Sequence, residues 1–189
     1  MVGVAPAPSP RAAFGAAVIG DRLYVAAGRN DHHTSLNSLE TFDFRTRRWS
    51  RGPAMPTARE HVGAAALGGL FYVAGGRVLG EGNLSTVERY RPERDRWERV
   101  PGLSTPRAGF ALVPTADRLV AVGGEAPSGT IAAVEAFDPR AGAWTALPSL
   151  RVPRHGLAAA AVERNLYTAE GGPQVGLSYT RRGEAIGVR

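Results

Sequence analysis

The sequence predicts an all-β protein made of about four similar four-stranded units, and three observations support this fold class. A short landmark that contains glycine recurs every 48 residues, at 27–28, 75–76, 123–124 and 171–172. A tryptophan and an arginine recur at matching intervals. Apolar runs of strand length lie between the landmarks and are separated by turns rich in Gly, Asp and Pro. A fixed period of about 50 residues built from short strands is typical of a repeat architecture.

The landmarks divide the chain into one continuous array of repeats. The arginine that opens each unit is Arg11, Arg59, Arg107 or Arg154. We therefore place the repeats at approximately 11–58, 59–106, 107–153 and 154–189. Residues 1–10 match the linker and outer strand that precede a repeat, because 6–11 aligns with 54–59 after a shift of 48 residues.

Each repeat predicts four antiparallel strands and no helix. Two apolar runs joined by a short Gly or Asp turn indicate a hairpin, with the second strand of the first unit running from Leu23 to Ala26. Third strands are expected at 39–44, 87–90 and 134–137, and in the last unit from Glu184 towards Val188. A fourth strand opens at a tryptophan. The aromatic residues at repeat spacing are expected to pack between the sheets, and they are Phe42, Tyr90, Phe137, Trp49, Trp97 and Trp144.

Four-stranded sheets at this period match the radial β-propeller, in which each sheet, or blade, packs face to face on its neighbours. The first strand of each unit is rich in Ala and Gly, which suits the crowded position next to the propeller axis. Glycine at the landmark can adopt positive φ and lets the chain leave the second strand abruptly. Ala27 replaces the first glycine once, so the second glycine has the stricter requirement.

The landmarks resemble those of the kelch-repeat family over essentially the whole chain. They are the glycine pair at 75–76, the Phe or Tyr at 42, 90 and 137, and a tryptophan a few residues later. The resemblance implies a kelch-type β-propeller segment. It also implies a binding module, because kelch propellers serve in protein interaction, while a minority act in enzymes such as galactose oxidase and sialic acid mutarotases.

The way in which the ring closes stays open at this level. The tryptophan of the last unit would fall beyond Arg189, whereas Met1 lies in the register of Trp49, so the N-terminal segment is a candidate for the outer strand of the last blade. The chain is then a segment of a longer propeller, a partial ring completed by a second copy, or an open or four-bladed unit. Exposed strand edges and an apolar blade face in an open array favour self-association.

The composition limits the chemistry. The formal net charge is +6, and all 23 basic residues are arginine. Absence of cysteine excludes disulfides, a thiolate nucleophile and the crosslinked cofactor of galactose oxidase. Neither a signal peptide nor an apolar run of the ~20 residues needed to cross a membrane is visible, so the compartment is undetermined, with the cytoplasm favoured. We expect no cofactor.

The resemblance implies that the opening arginines line the ligand-facing mouth of the central channel, together with the residues that follow the glycine pairs. Such a rim suits an acidic protein partner or an anionic small molecule. The alternative is that the opening arginines pair with Glu40, Glu88 and Glu135 and only fix the blades. The predicted binding residues are Arg11, Arg29, Arg59, Arg77, Arg107, Glu125, Arg154 and His155, with Pro173 at the fourth position after a glycine pair.

Catalytic and metal sites are not assigned. Asp31, His32 and His33 lie in one polar loop, where solvated side chains are the simpler interpretation than a metal site. Nucleic acid is an unlikely partner because no recognised module accompanies the basic charge. An enzyme similar to a sugar-acid mutarotase, with Glu125 or His155 as acid–base groups, remains the competing function.

Overall fold

The computed structural model describes residues 4–188, which form four blade sheets in a propeller arrangement and two separate two-stranded hairpins. Blade 1 comprises β1 (Gly15–Ile19), β2 (Arg22–Ala26), β3 (Leu39–Asp43) and β4 (Arg48–Gly52). Blade 2 comprises β5 (Gly63–Leu67), β6 (Leu70–Ala74), a small hairpin of β7 (Arg77–Val78) and β8 (Gly82–Asn83), β9 (Val87–Arg91), a 3-10 turn (Pro92–Arg94) and β10 (Arg96–Val100).

Blade 3 repeats this plan, and blade 4 is shorter. Blade 3 comprises β11 (Ala111–Pro114), β12 (Leu119–Val122), a small hairpin of β13 (Glu125–Ala126) and β14 (Gly129–Thr130), β15 (Val134–Asp138) and β16 (Ala143–Leu147). Blade 4 comprises β17 (Ala158–Val162), β18 (Asn165–Ala169) and β19 (Gly183–Gly187).

The strands of each blade are antiparallel and follow chain order from the first strand outwards. The first strands of successive blades lie side by side, β1 next to β5, β5 next to β11 and β11 next to β17. This arrangement confirms the predicted all-β propeller. Within the described residues, blade 4 has three strands rather than the predicted four.

Apolar side chains fill the space between the blades. Tyr24 of blade 1 packs on Phe71 of blade 2 with ring centroids 5.9 Å apart, and Tyr72 of blade 2 packs on Phe137 of blade 3 at 6.3 Å. Phe137 also lies 5.2 Å from Trp144 of its own blade. The repeat-spaced aromatic residues therefore pack within and between blades, as the sequence predicted. The core is a series of interfaces between sheets, and each blade depends on its neighbour to bury a face.

Each tryptophan anchors the linker that precedes its own blade. The indole Nε1 of Trp49 donates to the carbonyl of Ala5 at 2.9 Å, and that of Trp97 donates to Pro53 at 3.0 Å. Ala5 and Pro53 are 48 residues apart and accept the equivalent indole bond, and the outer-strand interpretation of the N-terminal segment remains a prediction. The predicted match of Met1 with the tryptophan register lies outside the described residues.

The glycine landmark of blade 4 is Glu170-Gly171, which corrects the predicted Gly171-Gly172. Glu170 has φ +58° and Gly171 has φ +87°, matching +55° and +90° at Gly75 and Gly76. The opening arginine of blade 4 follows that of blade 3 by 47 residues instead of 48, and the strand ends shift with it. A Cβ at Gly75 would lie 2.7 Å from the Arg107 carbonyl of the next blade, so the first glycine makes room for a neighbour.

Backbone hydrogen bonds join the blades around the axis. The amide of His61 donates to the Ala13 carbonyl at 2.8 Å, Gly109 donates to His61 at 2.9 Å, and Gly156 donates to Gly109 at 2.7 Å. A row of this kind holds successive inner strands at a fixed spacing. The rim residues described below are carried on this frame.

The outer faces of the first and last blades are exposed. Phe14 and Val18 of blade 1 are 44% and 52% exposed, and Val162 and Tyr167 of blade 4 are 57% and 49% exposed. The described structure is therefore an open arc with two uncovered sheet faces. The described part of the chain contains no helix long and apolar enough to cross a membrane.

Candidate functional site

The arginine that opens each repeat lies inside its blade. Arg59 contacts Glu88 at 2.5 Å, and both side chains are 0% exposed. Arg107 contacts Glu135 at 2.7 Å with exposures of 0% and 4%. The remaining pairs are Arg11 with Glu40 at 3.1 Å and Arg154 with Glu184 at 2.5 Å.

These guanidinium groups also bind backbone carbonyls of the strands that they join. Arg107 donates to Gly123 at 3.0 Å and to Ala133 at 2.8 Å, and Arg59 donates to Val73 at 3.0 Å. Burial lowers the pKa of Arg59, opposed by the charge of Glu88. An arginine remains charged even so, because its ordinary pKa is above 12. The opening arginines thus hold strands together, and their charged groups are buried against carboxylates and carbonyls of the blade.

The residues after the glycine landmarks lie at one end of the propeller, which we call the mouth. Arg29 and Arg77 each have a side chain that is 31% exposed, and the side chain of Glu125 is 12% exposed. The fourth equivalent is Gly172, which pairs with His155 as Arg77 pairs with Glu60, so Pro173 is not the matching residue. The one-residue shift of blade 4 explains this difference.

A chain of contacts between arginine and glutamate side chains runs across the mouth from blade 1 and ends at His155 of blade 4. Arg29 contacts Glu60 at 3.0 Å, and Glu60 contacts Arg77 at 2.9 Å. Arg77 contacts Glu125 at 3.0 Å, and Glu125 lies 3.5 Å from Nδ1 of His155. The structure therefore brings four of the predicted binding residues together and separates them from the four buried opening arginines.

Glu60 is the central carboxylate of this chain and is 1% exposed. Burial alone would raise its pKa, but the hydrogen bond from Arg77 and the positive charges around it lower the pKa below its ordinary value. The carboxylate is therefore ionised at neutral pH and fixes both Arg29 and Arg77 in place.

His61 lies beside Arg77, with Nδ1 3.4 Å from a terminal guanidinium nitrogen. Burial lowers the pKa of His61, and the charge of Arg77 lowers it further. A neutral imidazole follows, whose Nδ1 lies between the guanidinium group of Arg77 and, at 3.3 Å, Oε1 of Glu60. At neutral pH the mouth therefore holds two arginines and two carboxylates in contact.

Arg77, Glu125 and His155 line a cleft of about 780 Å³, which we call the mouth cleft. Its edges are loops that carry exposed apolar side chains, with Leu79 at 60%, Val175 at 50% and Leu177 at 106% exposure. Asn83 donates to the Glu125 carbonyl at 2.6 Å and ties the loop of blade 2 to blade 3. Ligand pockets are typically concave and mostly apolar with a few placed polar groups, and the mouth cleft has this composition.

Sequence reasoning missed Glu60 and the apolar loop residues. Glu60 directly follows Arg59, at a position where the first and third repeats have Ala12 and Ala108. The available signal was that a charged residue replaces alanine at this position of the repeat, next to the predicted rim. Leu79 and Leu177 lie in loops of variable length, where repeat alignment carries no information.

Asp31, His32 and His33 lie in an exposed loop of blade 1. Nε2 of His32 lies 3.7 Å from Asp31, and both side chains are about four-fifths exposed. Among residues 4–188, no group of three or more His, Asp or Glu side chains is arranged to hold a metal ion.

Comparison with known proteins identifies relatives of this fold. The model of the KLHDC2/KLHL20/DRC7 Kelch-repeats domain matches residues 3–172. Over 48 residues the chain is 48% identical to the N-(sulfonatooxy)prop-2-enimidothioate sulfolyase of Thlaspi arvense, a match that covers 25% of this chain and 14% of the sulfolyase. The solved structure of YjhT superposes with a TM-score of 0.78 at 20% identity, covering 89% of this chain and 61% of YjhT. The chain thus spans less than two thirds of both proteins, and the likeness to YjhT is one of fold.

Proposed function

Because the chain belongs to the kelch-repeat family, we propose that it is a binding module that captures an acidic segment of a partner protein in the mouth cleft. The observation that carries the proposal is the position of Arg77, a partly exposed arginine that lines the mouth cleft. The repeats at 11–58, 59–106, 107–153 and 154–189 act in this proposal as one array.

Arg77 has donor capacity left for a ligand. Its Nε binds Glu60 at 2.9 Å and one terminal nitrogen binds Glu125 at 3.0 Å. The other terminal nitrogen has the long 3.4 Å contact with His61. A guanidinium group has five donors, and two carboxylates that hold it from one side preorganise the remaining donors for a third. A ligand carboxylate that replaces the imidazole contact gains a charged hydrogen bond without reorienting Arg77.

The cleft edges favour a peptide over a small anion. Leu79, Val175 and Leu177 surround the charged residues of the mouth cleft and offer apolar contact area that a small anion leaves unused. An acidic residue with apolar neighbours satisfies both parts of the site. Apolar contacts of this kind supply affinity, and the charged contact supplies orientation.

The geometry favours binding over acid–base catalysis. Nδ1 of His155 faces Glu125 at 3.5 Å, and Nε2 lies 3.0 Å from the carbonyl of Gln174. Both ring nitrogens therefore face acceptors, and neither is open to take a proton from a substrate. The mutarotase-like alternative receives no support from this arrangement.

The test measures the affinity of a fluorescent peptide that contains two glutamates flanked by leucines. We expect Arg77→Ala to weaken binding about tenfold, equivalent to ~1.4 kcal/mol. Arg94→Ala is the matched control, because Arg94 is an exposed arginine in the turn at the opposite edge of blade 2. That variant should bind like the wild type.

Two further arms separate charge from apolar contact. The wild type should bind a peptide with glutamine in place of glutamate more weakly than it binds the glutamate peptide. The Arg77→Ala variant should bind the two peptides with equal affinity. Leu177→Ser should weaken both peptides, because the apolar edge is shared. Equal affinity for the two peptides, an unaffected Arg77→Ala variant, or no binding of the acidic peptide to the wild type would contradict the proposal.

A further inference from the structure

We propose that the exposed face of blade 4 docks head to tail onto the exposed face of blade 1 in a second copy of this chain. The inference is independent of the mouth cleft. It rests on the three interfaces between successive blades inside the chain, which define what each face accepts, and on the two faces that remain uncovered.

The uncovered surface of blade 4, which we call the blade-4 face, is apolar. Alternate residues of its strands point outwards, because the residues between them face blade 3. The outward side chains are mostly alanine and valine, with one large ring at Tyr167. The apolar ones are Ala158, Ala160, Val162, Tyr167, Ala169 and Ala185, and Asn165 is a polar residue that shares this face.

Tyr167 occupies the register of a tyrosine that is buried in other blades. Leu119 of blade 3 and Leu166 of blade 4 are both fully buried and face the preceding blade, so the next residue in each strand faces the following blade. That residue is Tyr24 in blade 1 and Tyr72 in blade 2, with exposures of 4% and 1%. Tyr167 is 49% exposed because no blade covers it in the described arc.

The uncovered surface of blade 1 contains the receiving groove for such a tyrosine. This groove, which we call the blade-1 groove, has a volume of about 500 Å³ and includes Phe14, Ala16, Leu23, Val25 and Trp49 in its lining. Its counterparts in other blades are occupied by the preceding blade.

The match between groove and internal interface is residue by residue. Leu23 aligns with Phe71, which packs against Tyr24 with ring centroids 5.9 Å apart. Trp49 aligns with Trp97, which packs against the same cluster. The blade-1 groove therefore corresponds to the surface of blade 2 that contacts Tyr24. Tyr167 of blade 4 corresponds to Tyr24 itself.

Glu170 opposes this contact and sets its strength. In blade 3 the equivalent residue is Gly123, where a Cβ would lie 2.6 Å from the Arg154 carbonyl of the next blade. Ala27 occupies the position in blade 1 and is fully buried against blade 2, so a Cβ alone is accommodated. Glu170 directs a longer, charged side chain towards the corresponding carbonyl of Arg11 in the second copy. The wild-type association is consequently weaker than an internal interface, and Glu170→Gly strengthens it.

A head-to-tail contact uses two different faces, so each copy retains one free face after pairing. Such heterologous contacts continue until a ring closes or a chain of copies grows. The mass in solution should therefore rise with protein concentration. Sedimentation velocity from about 1 µM to 1 mM measures this rise.

The decisive experiment blocks one face in each of two variants. Tyr167→Asp places a charge on the blade-4 face, and Ala16→Arg places a long charged side chain in the blade-1 groove. Both positions are exposed, so the fold is retained, and circular dichroism verifies it. Each variant alone should be a monomer. An equimolar mixture should form a heterodimer and nothing larger, because only one intact face of each kind remains.

One control variant changes a residue outside the two faces, and a second variant removes the side chain that opposes the contact. Tyr179→Asp, a substitution of a tyrosine that is 92% exposed outside the blade-4 face, should associate like the wild type. Glu170→Gly should shift association to at least tenfold lower concentration. Monomers of both the wild type and Glu170→Gly throughout the range would overturn the proposal and leave these faces to a different partner. Association that persists in either blocked variant alone would also overturn it.

Discussion

Two sets of arginines arise from the same repeat and have different surroundings. The opening arginines, represented by Arg59, are fully buried and contact a buried carboxylate and backbone carbonyls. The arginines after the glycine landmarks, represented by Arg77, are about one-third exposed, and Arg77 lines the mouth cleft. The difference teaches that position in the repeat, before the first strand or after the second, rather than residue type, determines whether an arginine is buried inside a blade or partly exposed at the mouth.

Removal of a buried arginine should have the largest effect. Arg59→Ala leaves the carboxylate of Glu88 buried without its main countercharge, and breaking a buried pair in this way costs about 3–5 kcal/mol. We expect a loss of this size in the free energy of unfolding, measured by urea denaturation. The double variant Arg59→Met with Glu88→Leu should be more stable than Arg59→Ala, since no unpaired charge remains. A loss below about 1 kcal/mol in Arg59→Ala would contradict the assigned role.

Removal of a mouth arginine should change stability much less. Arg77→Ala leaves Glu60 in contact with Arg29 and leaves Glu125 beside His155. Because the arginine is partly solvated, its pairs contribute about 0–1 kcal/mol to stability. The same urea experiment should therefore separate Arg77→Ala from Arg59→Ala. Equal losses in the two variants would remove the distinction between the two sets.

The smallest effect is a pH dependence that originates at His61. Its pKa is lowered in the folded protein, mainly by burial and then by Arg77, so the unfolded chain binds a proton more readily. The stabilising contribution is present above the unfolded pKa of about 6.5 and is lost as pH falls from there towards the folded pKa. The slope from this group is at most ~1.4 kcal/mol per pH unit.

His61→Asn should flatten the stability profile just below pH 6.5. Asparagine is chosen because His61 has φ +52°, a conformation that asparagine accepts readily. His33→Asn is the matched control, because His33 has φ +57° and lies in an exposed loop. Urea unfolding between about pH 5 and 7 provides the measurement. An unchanged slope in His61→Asn would contradict the effect assigned to burial and Arg77.

Sequence periodicity predicted the blades because landmark spacing follows directly from repeated packing. It misplaced the last landmark, since three successive residues, Glu170, Gly171 and Gly172, allow two alignments that differ by one position. The φ angles of Glu170 and Gly171 and the pairing of His155 with Gly172 separate them. Repeat spacing also identified the opening arginines as equivalent. It did not determine the direction of their side chains, because an arginine can reach either the glutamate of its own blade or the central channel.

The residues of the mouth were harder to predict from the sequence, because they meet across different blades. Its central carboxylate, Glu60, belongs to one repeat alone and contacts Arg29 of the preceding blade. Contacts between blades depend on the angle between sheets, which the period does not specify. The loop residue Leu177 reaches the cleft only through the path of a variable loop.

The most direct test of the division between the two arginine sets measures peptide affinity in two folded variants. Arg59→Met with Glu88→Leu lacks a buried pair, and Arg77→Ala lacks the mouth arginine. With the fluorescent leucine-flanked glutamate peptide, we predict wild-type affinity for the first variant and about tenfold weaker binding for the second. Weakened binding in the folded pair variant together with wild-type affinity in Arg77→Ala would contradict the account.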